Sequence, residues 1–186
     1  MTEEEVLDLL RARGALLSDH FLLTSGRHSD TYVEKARVLE DPADVARLAG
    51  EIAARFSNVD VVVSPAVGAI PLGFAVAAAT GARFMYAERE DGRLTLRRGF
   101  ELSPGQRVLV VEDVVTTGGS AAEVVGLVGR SGAELVGVAA LVDRSAEPLP
   151  FAVTALARVE ATVHDADACP MCAQGHPVRS LGSRRL

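Results

Sequence analysis

Arg107-Val-Leu-Val-Val-Glu-Asp-Val-Val-Thr-Thr-Gly-Gly-Ser120 is the stretch from which the fold is read. Residues 108–111 are aliphatic without alternation, the pattern of a strand buried on both faces. Two adjacent carboxylates, Glu112 and Asp113, interrupt the run. Val114 and Val115 follow, then Thr116, Thr117, Gly118, Gly119 and Ser120, and a helical pattern begins. A strand that delivers acids and then a small-residue loop at a helix start suits a phosphorylated sugar. The acids face hydroxyls or a hydrated Mg²⁺, while loop amides and the helix N-terminus receive the phosphate. The plain alternative is an ordinary strand-to-helix loop with Ser120 as N-cap.

Outward from this segment the same unit repeats. Residues 59–64 form a short apolar strand, 65–68 a turn, 70–79 an apolar helix stopped by Gly81, and 83–87 another strand. Residues 107–111 and 120–130 are the strand and helix of the quoted segment, with later strands at 135–142 and 151–163. Strands separated by helical patterns predict an α/β fold, a doubly wound and mostly parallel sheet. Ligands in such sheets bind beyond the carboxyl ends of the strands. Ser64-Pro65, Glu112-Asp113 and Asp143-Arg144 all fall on that rim. Before the sheet, residues 2–13 read as a helix with a Thr2–Glu5 capping box, and Gly14 stops it. Residues 20–33 suggest a hairpin around Ser25-Gly26-Arg27. Asp41-Pro42 opens a helix running to about Phe56. Residues 94–100 read as an excursion outside the core.

Bulk properties exclude several functions. With 186 residues, the chain suits one domain. Nineteen basic against 25 acidic residues give a net charge of −6, without the electrostatic footprint of a nucleic-acid binder. Aromatics make up only 4% and tryptophan is absent, so base-stacking platforms are lacking as well. Residues 67–79 are too short and too broken by glycine and proline to span a membrane. The acidic Glu3-Glu4-Glu5 start is unlike a signal peptide, and the expected compartment is the cytoplasm. Lys35 is the only lysine, so every other cationic task falls to arginine or histidine.

The quoted segment resembles the phosphoribosyl-diphosphate (PRPP) signature of type I phosphoribosyltransferases. The resemblance implies that Glu112 and Asp113 are the catalytic pair, addressing the ribose hydroxyls directly or through Mg²⁺. Val114, Val115, Thr116, Thr117, Gly118, Gly119 and Ser120 complete the PRPP site and hold its 5′-phosphate. Negative charge under the sugar stabilises an oxocarbenium-like transition state. Ala66, Val67 and Gly68 match the pyrophosphate loop, although many orotate enzymes carry a lysine where this chain has Gly68. Residues 88–100, with Arg89, Arg93, Arg97 and Arg98, match a mobile flap that closes over pyrophosphate. Asp91-Gly92 is its hairpin turn. The family's usual flap lysines and histidine are missing, which favours binding of the diphosphate over protonating it.

Two further stretches resemble orotate phosphoribosyltransferases. In Thr24-Ser25-Gly26-Arg27-His28-Ser29-Asp30-Thr31-Tyr32, "Ser-Gly-x-x-Ser" precedes an aromatic, and Thr24 replaces a common lysine. Backbone groups near Tyr32 and Val33 are implied to bind the pyrimidine, with Thr116 facing it. Arg144 is placed to fork the orotate carboxylate and so to reject uracil and purines. Its plain alternative is an ion pair with Asp143. The implied reaction converts orotate and PRPP to orotidine 5′-monophosphate and pyrophosphate, with Mg²⁺ on the diphosphate. The expected assembly is a homodimer with shared sites. The resemblance further implies a fold with an N-terminal hood over residues 1–40 and a tail at 164–186. Another base specificity on the same scaffold is the nearest alternative. A PRPP-sensing regulator would need a DNA-binding helix pair or a basic face. A P-loop hydrolase would need Gly-x4-Gly-Lys-Ser/Thr, which does not occur.

Cys169 and Cys172 lie near His164 and His176 in the order His-x4-Cys-x2-Cys-x3-His. Thiolate and imidazole suit Zn²⁺, but the spacing is that of no familiar zinc finger; a redox pair or reduced bystanders fit equally.

Overall fold

Two valine-rich strands set the centre of the molecule. In the computed structural model, which describes residues 1–23 and 25–181, β3 (Val61–Pro65) and β6 (Arg107–Val115) pair in parallel. Val62, Leu109 and Val111 point into one core cluster; Val61, Val63, Val108 and Val110 point into a second on the opposite face. Both faces are covered, which is why the sequence shows no polar alternation.

In chain order the elements are α1 (Glu3–Ala12), β1 (Leu16–Leu22), β2 (His28–Val33), α2 (Ala36–Leu39), α3 (Pro42–Ala53), β3, α4 (Ile70–Thr80), β4 (Arg83–Glu90), β5 (Arg93–Leu96) and β6. After these come α5 (Gly119–Arg130), β7 (Glu134–Asp143), β8 (Val153–Arg158), β9 (Val163–His164), α6 (Pro170–Ala173) and β10 (Arg179–Ser180). The larger sheet has the order β5-β4-β3-β6-β7-β8, parallel throughout except for the β4–β5 hairpin. Helices α1, α3 and α4 supply one covering layer and α5 the other. The predicted doubly wound sheet is present.

Local chemistry explains the element ends. Thr2 Oγ1 accepts from Glu5 N and Glu5 Oε2 accepts from Thr2 N, the anticipated capping box. Asp41 caps α3 by accepting from Ala43 N, with Pro42 in the first turn. Gly81 closes α4 in the left-handed conformation. Helix α3 ends at Ala53, short of the expected Phe56, whose ring packs instead against Gly137 of β7.

A second, four-stranded sheet has the order β10-β1-β2-β9. The expected hairpin forms its middle, starting earlier than the sequence suggested, at Leu16. The chain's C-terminal part flanks it: β9 runs antiparallel to β2, and β10 parallel to β1. The single strand expected over 151–163 is therefore two. After Val159 N bonds to Asp143 O, the chain leaves the large sheet through exposed Glu160 and joins the small one at Val163. Thr24, read as a lysine replacement, and residues 182–186 of the tail lie outside the described residues. No helix among the described residues is long and apolar enough to cross a membrane.

Candidate active site

The acids sit inside strand β6 rather than just beyond it. Pairing of β6 with β3 ends at Val63↔Val110, while pairing with β7 continues to Val115↔Asp143. From Val111 onward β6 thus has β7 on one side and an opening on the other. Glu112 and Asp113 are both buried there. Glu112 Oε1 accepts from Asp113 N at 3.0 Å, and Asp113 Oδ1 accepts from Val114 N at 2.6 Å. Burial, reinforced by the neighbouring charge of Asp113, pushes the Glu112 carboxyl up to about 8. Two carboxylates side by side in a low-dielectric site favour a partner that brings positive charge or hydroxyl donors.

One such charge is already present. Lys35 Nζ lies 2.6 Å from Asp113 Oδ2, a charge-assisted contact that compensates the buried carboxylate. The loop of Ala66, Val67 and Gly68 closes over this pair, and the Ala66–Val67 peptide bond is cis. A Cβ on Gly68 would collide with Asp113 Oδ2 and approach Lys35 Nζ at 2.7 Å. A side chain at this position would have to displace the Asp113–Lys35 pair, so the small residue answers to contact rather than to turn geometry. Lys35, at the start of α2, brings an ammonium beside the loop at Gly68. Sequence reading missed Lys35 as a site residue; its being the only lysine was the available signal.

Beyond Val115 the chain forms a cup. A cavity of about 60 Å³ is lined by Glu112 and residues 114–121. Helix α5 begins at Gly119, one residue earlier than read, and its N-cap is Gly118 at φ +70° with no side-chain cap. Ser120 is therefore in the first turn and is not the cap. The first-turn N–H groups are left for an anion, with the hydroxyls of exposed Thr116 and Thr117 beside them. A Cβ on Gly118 would come within 2.8 Å of Leu149 Cδ2.

The next strand end supplies Arg144. Its backbone N–H donates to Val115 O at 2.8 Å, which sets it beside Thr116. Its Nη2 donates to Thr31 O at 3.0 Å, tying the large sheet to β2. Its buried Nε has no partner among the described residues, and burial lowers the guanidinium's pKa. The ion pair weighed as the plain alternative does not form: Asp143 pairs with Arg158 instead. Tyr32 and Val33 follow Thr31. Here β2 is bordered by β1 only, since β9 reaches no further than Ser29. Tyr32 packs its ring 5.5 Å from that of Phe21, and Val33 is buried in the core, so both offer backbone rather than side chain.

The hairpin at 88–100 forms as expected, with positive φ at Asp91 and Gly92. It does not stand clear of the body. Leu94 is buried in the core, contrary to the excursion read from sequence, and its N–H donates to Glu123 Oε2 at 2.8 Å. Arg89 pairs with Glu123, Arg97 with Glu90, and Arg98 forks Glu88 at 2.8 and 3.0 Å. Arg93 pairs in register with Glu90 at the hairpin end. The acids and Lys35, the Gly68 loop, the cup and Arg144 converge on one rim; the four arginines do not join them here. The tail cysteines also lie elsewhere. Their neighbours are His20 and His28, not His164 and His176 as chain order suggested.

Comparison with known proteins agrees with this geometry. Residues 35–151 match the phosphoribosyl transferase domain family. A curated orotate phosphoribosyltransferase of Desulforamulus reducens is 47% identical over 190 residues, covering all of both chains. The crystal structure of orotate phosphoribosyltransferase from Aeropyrum pernix superposes with a TM-score of 0.67 at 25% identity, covering 83% of this chain and 93% of that one. That of the Mycobacterium tuberculosis enzyme in complex with inorganic phosphate gives 0.63 at 30% identity, covering 84% and 95%. With its signature strand and cup in this arrangement, the chain belongs to the orotate phosphoribosyltransferase family of type I phosphoribosyltransferases.

Proposed function

We propose that the rim of the large sheet joins orotate to PRPP through the residues described above, releasing orotidine 5′-monophosphate and pyrophosphate. The reaction needs no enzyme nucleophile: a ring nitrogen of orotate gives up its proton and attacks the anomeric carbon with inversion, and the bond to the diphosphate breaks, with the proton passing to solvent or to the departing diphosphate. The protein's tasks are to position, to neutralise and to exclude wrong bases. Residues 116–120 hold the 5′-phosphate at the start of α5. Glu112 and Asp113 accept from the ribose 2′- and 3′-hydroxyls, and the charge of Asp113 favours the developing oxocarbenium. Asp113 and the adjoining carboxyl of Glu112, which would ionise as a cation arrives, are buried hard oxygen donors of the kind that fit a hydrated Mg²⁺. Bound with the diphosphate, that ion would supply charge neutralisation of the leaving group. Lys35 and the backbone of Ala66, Val67 and Gly68 take diphosphate oxygens.

The observation that carries the base assignment is Arg144. A half-buried guanidinium, steadied by Thr31 O and with an unpaired buried Nε, matches a planar carboxylate. Tyr32 and Val33 present backbone groups to the pyrimidine, and Thr116 faces it. Turnover of a panel of bases with PRPP, with and without Mg²⁺, tests the reading. Orotate should be used and Mg²⁺ required; use of hypoxanthine or uracil in place of orotate would overturn it. We assign the protein to the cytoplasm and to a homodimer in which flap arginines serve the neighbouring site. Support for the dimer is an aromatic row, Phe74–Phe84–Tyr86–Phe100, ending in Phe74 at 62% exposure.

A further inference from the structure

Away from the rim, four metal-binding side chains meet between the hairpin and the tail. His20 comes from β1, His28 starts β2, Cys169 precedes α6 and Cys172 lies within it. One ligand atom from each falls within 4.8 Å of all the others. Cys169 Sγ is 3.5 Å from His20 Nε2; Cys172 Sγ is 3.7 Å from His20 Nε2 and 3.3 Å from His28 Nδ1. The two ring nitrogens are 2.8 Å apart. A tetrahedral Zn²⁺ with Zn–N near 2.0–2.1 Å and Zn–S near 2.3 Å sets its ligand atoms roughly 3.3–3.8 Å from one another. The three nitrogen–sulfur separations fall in that range, and the nitrogen pair would open by about half an ångström.

The protonation pattern agrees. His20 Nδ1 lies 2.9 Å from the carbonyl oxygen of His176, which can only accept, so Nδ1 carries the proton and Nε2 turns its lone pair to the thiols. Fixing a histidine's tautomer through its other nitrogen is the usual support of a metal ligand. Both histidines and Cys169 are buried, and the cysteines form no disulfide. A hydrogen bond between the rings would satisfy two nitrogens but gives no reason for two thiols to converge on them from the far end of the chain.

We propose that His20, His28, Cys169 and Cys172 bind a structural Zn²⁺ that fastens the C-terminal tail to the β1–β2 hairpin. All four coordination positions are then protein atoms, so the site holds structure and leaves no position for substrate. Its consequence reaches the active site through β2, which carries Thr31, Tyr32 and Val33. Fastening both sides of the hairpin holds that strand against Arg144. The inference stands whichever base is used.

Metal analysis of the full chain, purified without a histidine tag, tests it. About one zinc per chain should be retained. After chelation, Co²⁺ should restore one equivalent with the visible bands of tetrahedral cobalt and a thiolate charge-transfer band, a readout independent of any variant. Cys172→Ser, at an exposed position, should lose most of the zinc and lower Tm, whereas His164→Ala and His176→Ala should keep it. Zinc absent from the untagged chain together with no cobalt–thiolate band would overturn the site. So would full retention in Cys172→Ser, or loss in His164→Ala with retention in His28→Ala.

Discussion

Arg144 and Glu112 show how far single residues carry specificity and pH behaviour. Arg144→Ala removes both the carboxylate partner and the link to Thr31 O. Loss of a charge-assisted contact of this kind costs about 1.5–3 kcal/mol, so KM for orotate should rise roughly tenfold to a hundredfold with KM for PRPP little changed. Unchanged orotate kinetics would remove the fork from the mechanism. Glu112 predicts a pH effect on stability. Its carboxyl is raised from 4.5 to about 8, mainly by burial, so between those values the folded state binds more protons than the unfolded chain. Its stabilising contribution is complete below about 4.5 and is lost as pH rises through about 8. Glu112→Gln should flatten the fall in Tm across that window; an unaltered slope would mean the carboxyl titrates normally. Both residues were legible in the sequence because each sits in a short motif at a strand end. Lys35 was not, since it has no local pattern and acquires meaning only by meeting Asp113 and Gly68 from elsewhere in the chain.

Elements were legible where their ends are written in local chemistry. The Thr2–Glu5 box, Asp41-Pro42, Gly81 and Asp91-Gly92 each mark a boundary the structure keeps. What an element packs against is not local. The β4–β5 hairpin read as a projecting arm because its sequence is charged, but Glu123 of α5 holds both Arg89 and the Leu94 amide. That carboxylate ties the hairpin to α5 through one side chain and one backbone amide. Glu123→Ala should speed hydrogen exchange at the Leu94 amide and loosen the hairpin without unfolding α5. Equal exchange in the two proteins would show that burial of Leu94 alone retains it.

At the scale of the molecule, the parallel sheet followed from the run of apolar strands, while the small sheet did not. Its outer strands are two residues long, too short for any periodicity, and pair with partners more than a hundred positions away. The metal-ligand cluster was misread for the same reason: chain order offered His164 and His176, and only the folded hairpin brings His20 and His28. Assembly is a property of this scale too. If the aromatic row is a subunit contact, Phe74→Glu should shift the mass in light scattering from dimer to monomer with far-UV circular dichroism unchanged. A dimer that persists would place the contact elsewhere.

The pairing of the only lysine with Asp113 has a practical consequence. An amine-acylating reagent meets two kinds of amine in this chain: the α-amino group, 2.6 Å from Glu51, and Lys35. Lys35 is partly open to solvent, so a single added mass mapped to its peptide reports the occupancy of the proposed PRPP site around Asp113. Saturating PRPP should slow that labelling severalfold by covering the ammonium, and orotate alone should not; equal rates with and without PRPP would separate Lys35 from the diphosphate. A scarcity that reads in the sequence as mere composition thus makes that site addressable by a reagent with no affinity for it.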